Sequence, residues 1–244
     1  MFFIKIYPIF AHRKAKEMNT PNQTNGSITF HASLPYREIR PPKDYIYYKV
    51  RVRGGLGGDA ETDIVKQRAN CIKVLANILL VSIRHQHVAL YLVRFEGGKS
   101  AQTIPANAEA LVAIPSEMEQ DFKDIMIQGS CALQAQYGVT DPDVEVLLDS
   151  AIWHGNIIDE EATRCLLASL NAIPTGPLEM RTDLVGTAMT SNSIGSVKMN
   201  RTTSCFEIMN VCHSFKDDDL HLLASKIHQI LEVSGAEIIL NVSN

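Results

Sequence analysis

The chain lacks the features that would place it at once. No apolar run approaches the roughly 18 residues a spanning helix needs, so membrane insertion by a helix is not expected. Lysine and arginine number 23 against 27 aspartates and glutamates. There is no basic stripe with interleaved aromatics, so nucleic acid is not an expected partner. Aromatics are sparse, at 7% of 244 residues. The five cysteines (Cys71, Cys131, Cys165, Cys205 and Cys212) are odd in number and far apart, with no C-x-x-C pair. That spacing fits thiols buried in a reducing cytoplasm better than a disulfide framework or a zinc ribbon. Also missing are an H-E-x-x-H metal motif and a G-x-S-x-G nucleophile elbow.

What is present is enough to build a core, with 45% of residues hydrophobic and ample length to bury them. Residues 1–10 are apolar like the start of an export signal. Lys5 and Pro8 interrupt them, and no small-residue cleavage site follows. Residues 11–25 are polar, so 1–25 read as a disordered or mis-called segment ahead of one domain at 26–244. Within that domain, 28–34 and 45–53 read as strands. In the second, Ile46, Tyr48, Val50 and Val52 alternate with Lys49, Arg51 and Arg53. Glycines 54, 55, 57 and 58 are expected to turn the chain into a helix of about two dozen residues N-capped by Asp59. A strand is expected at 87–95, a loop from Glu96-Gly97-Gly98, and a strand at 108–114. Ser116-x-x-Glu119 has the form of a capping box for a second helix, with Met118, Phe122 and Ile125 inward. A short strand at 144–148, a helix at 159–171, two β segments near 194–199 and 205–212, a helix at 218–234 and a closing strand at 238–242 complete the order. This order predicts an α+β fold with a mainly antiparallel sheet. It also admits two β-α-β-β-like halves.

Four patterns invite a chemical reading. Gly55-x-Gly57-x-x-Ala60 sits where a dinucleotide-binding turn would lie, although Asp59 opposes a pyrophosphate at a helix N-terminus. His85-x-His87 would place two imidazoles on one strand face. Glu160-Glu161 after Asp159 has the form of an acid pair, yet acids at a helix start stabilise the dipole without chemistry. Cys71 lies on an apolar helix face, as a core residue does. Read from residues alone, the chain shows no convincing active site.

The segments together do resemble a known family. Gly57-Gly58 is followed by Ile64, and Arg68-Ala69-Asn70 by Leu75. Gly97-Gly98 precedes Ile104-Pro105. Further along come Leu147-Leu148-Asp149-Ser150, Leu170-Asn171-Ala172-x-Pro174-x-Gly176, Thr190-Ser191 with Gly195, and Gly235-Ala236. In this order they resemble the lid, or dimerisation, domain of aminoacyl-histidine dipeptidase (peptidase D), a two-domain zinc peptidase, from about Gly26 to Ala236.

The resemblance implies a lid-type α+β domain without a zinc site of its own. In the complete family enzyme the zinc belongs to a separate domain. It also implies three substrate-binding positions, each substituted here. The histidine of the family's G-G-H-S-G stretch falls on Asp59. The asparagine of R-N-A-I-P falls on Gln102, with Ala101 in place of the arginine. The arginine of I-R-S, a carboxylate clamp, falls on His213. No catalytic or metal-ligating residue is therefore expected in this chain. Two readings follow: a non-catalytic, self-associating lid-like module, or part of a zinc-dependent dipeptidase whose catalytic domain is elsewhere. A homodimer or a separate zinc-domain chain is the expected partner, and the cytoplasm the expected place. Nucleotide binding at 54–58 is a third, minor reading.

Overall fold

The computed structural model describes residues 26–85 and 88–243. The expected start at 1–25 and His87 lie outside them. β1 (Gly26–Pro35) alternates strictly, with Ile28, Phe30, Ala32 and Leu34 buried. The two-residue β2 (Glu38–Ile39) leads to β3 (Tyr45–Arg53). The glycine-rich loop then runs into β4 (Gly58–Asp59) and a 3-10 turn at Ile64–Lys66. α1 (Cys71–His85) follows, then β5 (Tyr91–Gly98), β6 (Thr103–Ile104) and β7 (Ala108–Pro115). Next come α2 (Glu119–Tyr137), β8 (Glu145–Ala151), β9 (Ile157–Ile158) and α3 (Glu160–Ala172). The chain closes with β10 (Gly176–Met180), β11 (Ala188–Asn200), β12 (Cys205–Ser214), α4 (Asp217–Val233) and β13 (Glu237–Ser243).

Nine strands form one sheet in the order β13-β1-β12-β11-β5-β7-β3-β8, with β10 also paired to β11. Every pairing is antiparallel, so the expected fold class holds. The order resolves into two copies of one motif. β3-α1-β5-β7-α2-β8 is a β-α-β-β-α-β unit whose strands lie second-third-first-fourth across the sheet. β1-α3-β11-β12-α4-β13 is another with the same spatial order, and the whole first unit is inserted between its β1 and α3. The second strands of the two units meet edge to edge, through only Ser196 opposite Gly98 and Val197 opposite Gly97. The four helices of the described residues share one buried cluster with the inward faces of both units.

The two units are tied across their helices by Lys73. Its ammonium, on α1, donates to the carbonyls of Asn171 (3.1 Å) and Ile173 at the end of α3. Burial pulls its pKa down from the ordinary lysine value. Those carbonyls have no intrahelical donor and sit at the negative end of the helix dipole. Lys73→Met keeps the apolar stem and removes the donor. It is expected to cost about 2 kcal/mol, read as a lower urea midpoint at unchanged slope.

Three local expectations fail, for identifiable reasons. Asp59 does not cap a long helix. The chain between 60 and 70 forms turns, and α1 starts at Cys71, where Asn70 Oδ1 accepts from the Lys73 N–H at 3.2 Å. Ser116 is no capping box: it opens a 3-10 turn, and α2 has Met118 at its N-cap with no side-chain cap bond. Gly97 and Gly98 do not begin a loop but stay in β5, because the other unit's edge strand comes close there. A Cβ on Gly98 would lie 2.0 Å from the Gly195 carbonyl oxygen. By contrast, Asp159 does cap α3, accepting from the Ala162 N–H at 3.1 Å.

Candidate functional site

The helix-free face of the β1-containing unit carries the candidate site. Along β12, Ile208 and Cys212 join the main core. Alternation therefore turns Met209, Val211 and His213 to the opposite face. There Val211 and Met209 pack with Ala60 and Ala101 in a small separate cluster. That cluster exists because the segment between β5 and β6 folds back over β11. Ser193 Oγ donates to the Thr103 carbonyl at 3.1 Å, and Thr103 Oγ1 to the carbonyls of Ser100 (2.8 Å) and Gly195 (3.3 Å). β4 and β6 form a short ladder pairing Asp59 with Thr103, and the Ala60 N–H donates to the Gln102 carbonyl at 2.9 Å.

These contacts bring together the three positions taken from the resemblance. His213 Nε2 lies 3.3 Å from Gln102 Oε1, and Asp59 sits one residue before the Ala60 that Gln102 holds. With Nε2 protonated, the ring donates to this amide oxygen. His213 is only 6% exposed. Burial lowers the His213 pKa below its ordinary 6.5, with Glu61 and then Asp59 pulling the other way. The imidazole is accordingly neutral near pH 7. Asp59 is held below the usual carboxylate range, first by the Thr62 N–H and against the opposing effect of burial, with the Glu61 N–H and Thr62 hydroxyl adding to it. Its Oδ1 accepts all three bonds, at 2.9, 2.9 and 3.1 Å. Asp59 is thus an ionised turn-former.

The other sequence candidates do not come together. The 54–58 loop has no helix behind it to present an N-terminus to a pyrophosphate, since α1 starts only at Cys71. A cleft of about 610 Å³ does lie beside it, lined by Arg51, Arg53, Glu96, Lys99 and Glu109 with glycine backbone. Both of its arginines are already committed: Arg51 to Asp149 at 2.5 Å and Arg53 to Glu145 at 2.8 Å. His85 is the last residue of α1 rather than part of a strand. Glu160 and Glu161 lie in the first turn of α3, near Arg164 (3.1 Å) and Arg37 (3.9 Å) respectively. Burial pushes the Cys71 thiol up to about 12, so it is no nucleophile at neutral pH. Cys205 and Cys212 are buried like Cys71, whereas Cys131 is exposed and Cys165 half-buried, contrary to the expectation of wholly buried thiols. Among the described residues there is no group of three or more histidine, cysteine, aspartate or glutamate side chains that could hold a metal ion.

Residues that local sequence does not mark build the supports. Asp141, fully buried, accepts from the Leu56 N–H at 2.8 Å and the Ala69 N–H at 2.9 Å, pinning the glycine loop to the start of α1. Asn70 Nδ2 donates to the Ile194 carbonyl at 2.9 Å, tying α1 to β11. Asn192 and Asn210 face each other, wholly buried, beneath the site. Asp141 stands in a T-D-P-D run that reads as a surface turn. A buried role there depends on partners 72 and 85 residues away.

The architecture is a twofold β-α-β-β-α-β α+β domain with a polar cluster on its open sheet face. It matches the solved aminoacylhistidine dipeptidase from Vibrio alginolyticus with a TM-score of 0.82 at 21% identity, covering 89% of this chain and 44% of that one. In sequence, the chain is homologous over 212 residues to the Cytosol non-specific dipeptidase of Escherichia coli (strain K12). It is 23% identical to it over 87% of its own length and 43% of that protein. The chain thus spans less than half the length of each. No protein-family model matches it. Among the described residues, no helix is long and apolar enough to cross a membrane.

Proposed function

We propose that residues 26–244 form a lid- or dimerisation-type module of the dipeptidase kind that does not itself carry the hydrolytic chemistry. The observation that supports this most is the coverage: nearly all of the domain aligns with under half of a dipeptidase. The chemistry of the cluster agrees with it. A neutral imidazole, an amide and a turn-bound carboxylate can bind and orient a ligand, but they supply no metal-bound water and no activated nucleophile. In this reading the module pairs with a second copy or with a separate zinc-domain chain, in the cytoplasm. The β13 edge, which pairs with no further strand among the described residues and carries Ile239 68% and Val242 61% exposed, is the surface this reading offers for pairing.

The test is direct. The purified 244-residue protein, incubated with zinc and an aminoacyl-histidine dipeptide, is expected to release no histidine above the zinc-only blank. Turnover proportional to protein would overturn the reading. The convergence of Asp59, Gln102 and His213 favours a second reading, in which the chain is the substrate-holding part of a zinc-dependent dipeptidase. Its intact denatured mass in the source cells separates the two. A species near 27.0 kDa supports the free module, and one about twice as heavy supports the longer enzyme, whose zinc domain would add roughly that mass at the usual domain scale.

A further inference from the structure

A groove of about 610 Å³ lies between α1 and α2, within the size range of small-molecule sites. It opens to solvent past Asn77 and Ala132, both exposed. β3 and β7 are antiparallel, so the helices that follow them run in opposite directions. They cross where Gly129 of α2 meets Ile78 of α1; an added Cβ there would stand 3.0 Å from the Ile78 side chain. One turn to one side of that crossing the lining is apolar, with Val81 and Ile125. To the other side it becomes polar, with Lys73, Gln136 and Tyr137, and is bordered by Pro174 and Thr175 after α3. The groove is thus apolar at one end and polar at the other.

Lys73 is the only charged residue among those lining the groove, and it makes no ion pair among the described residues. An ammonium has three donors, and two of them go to the Asn171 and Ile173 carbonyls. Asn171 and Pro174 themselves line the groove, which places the ammonium at its polar end. The α3 C-terminus offsets about half of the lysine's charge, so this end stays net positive. Asp141, whose charge is felt at Tyr137, is spent on the Leu56 and Ala69 N–H groups. A cation entering the groove would therefore meet Lys73 with no acid lining the walls to receive it. A neutral alkyl chain would fill the apolar end and leave the third ammonium donor as it was. An anionic head on an apolar tail complements both ends.

We propose that the α1–α2 groove binds a small amphipathic monocarboxylate, with its carboxylate on the Lys73 ammonium and its apolar tail running past Ile78 towards Val81 and Ile125. This site lies in the helix layer, across the sheet from Asp59, Gln102 and His213, and does not depend on the module reading.

The experiment titrates the full-length protein with octanoate, octanol and octylammonium, which share a tail and differ in the charge of the head. The Gly129 amide resonance reports the groove, and calorimetry gives the affinities. Octanoate is expected to shift Gly129 saturably, octanol to bind more weakly and octylammonium not to bind. Lys73→Met should weaken octanoate by about tenfold or more, the scale of one hydrogen bond to a charged group, and leave octanol unchanged. Ala132→Trp, at the exposed rim, should block octanoate without touching Lys73, so the proposal stays testable where Lys73→Met fails to fold. No saturable shift with octanoate overturns the proposal. So does octanol or octylammonium binding as tightly as octanoate, or octanoate binding that survives Ala132→Trp.

Discussion

Replacing Asp141 by alanine is expected to destabilise the protein by about 2–4 kcal/mol, more than any other single polar truncation among the residues described above. The carboxylate is fully buried and accepts from the Leu56 and Ala69 N–H groups, with the Thr140 hydroxyl a third donor at 3.1 Å. Removal leaves two main-chain donors facing a void, and an unsatisfied buried donor costs about 1–3 kcal/mol. The gain from no longer burying a charge offsets part of that. Asp141→Asn retains one acceptor but sets an amide N–H₂ against a donor, so an intermediate loss is expected. Urea unfolding of the three proteins checks the order. An alanine variant within about 0.5 kcal/mol of the parent, the range of an ordinary surface substitution, would refute the pinning role.

Asp141 also shows where reading the sequence reaches its limit. The strands were legible because burial on one face writes itself as alternation: Ile28, Phe30, Ala32 and Leu34 on β1, and Val50 and Val52 on β3. Asp159 was legible because an N-cap acts on the N–H groups of the very next turn. Both signals are local. The failures at Asp59, Ser116 and Gly97-Gly98 share the opposite property. In each, a pattern with a good local meaning was overruled by a contact distant in sequence. Asp59 reads as a helix cap, yet it is itself paired with Thr103 in a short ladder and Ala60 after it is held by the Gln102 carbonyl. Gly97 and Gly98 read as a loop, yet both pair with β11, and at Gly98 only the lack of a Cβ lets that strand approach, while at Gly97 it makes room for Ile72 and Ala108.

The same reasoning explains the partial legibility of the site. The three positions carry no recognisable motif, and only the resemblance nominated them. Their meeting requires β12, the segment between β5 and β6, and the turn after β4, separated by up to 154 residues from Asp59 to His213. Composition near any one of them gives no hint of the others. The charge pattern became interpretable only once burial was known. Asp59 and Glu61 next to an exposed histidine would be unremarkable, but next to one that is 6% exposed they define a field.

Gly195→Ala should dismantle that field from a distance. A Cβ at this position would stand 2.2 Å from the Ser100 carbonyl oxygen and 2.4 Å from that of Ala101. Both are backbone atoms, so the segment bearing Gln102 must lift. Overpacking of this kind costs about 1–3 kcal/mol. The diagnostic is its dependence on pH. In the parent, burial holds the folded His213 pKa below its ordinary 6.5. As pH falls through 6.5 the unfolded chain takes up a proton that the folded one does not, and stability declines until the folded pKa is passed. Lifting the segment readmits water to His213, so its folded pKa rises towards 6.5 and this acid-side decline shrinks. The variant's deficit should therefore be larger at pH 8 than at pH 5, measured as the difference in urea midpoints at each pH. A deficit that is constant, or that grows on acidification, would mean the segment over β11 does not control His213.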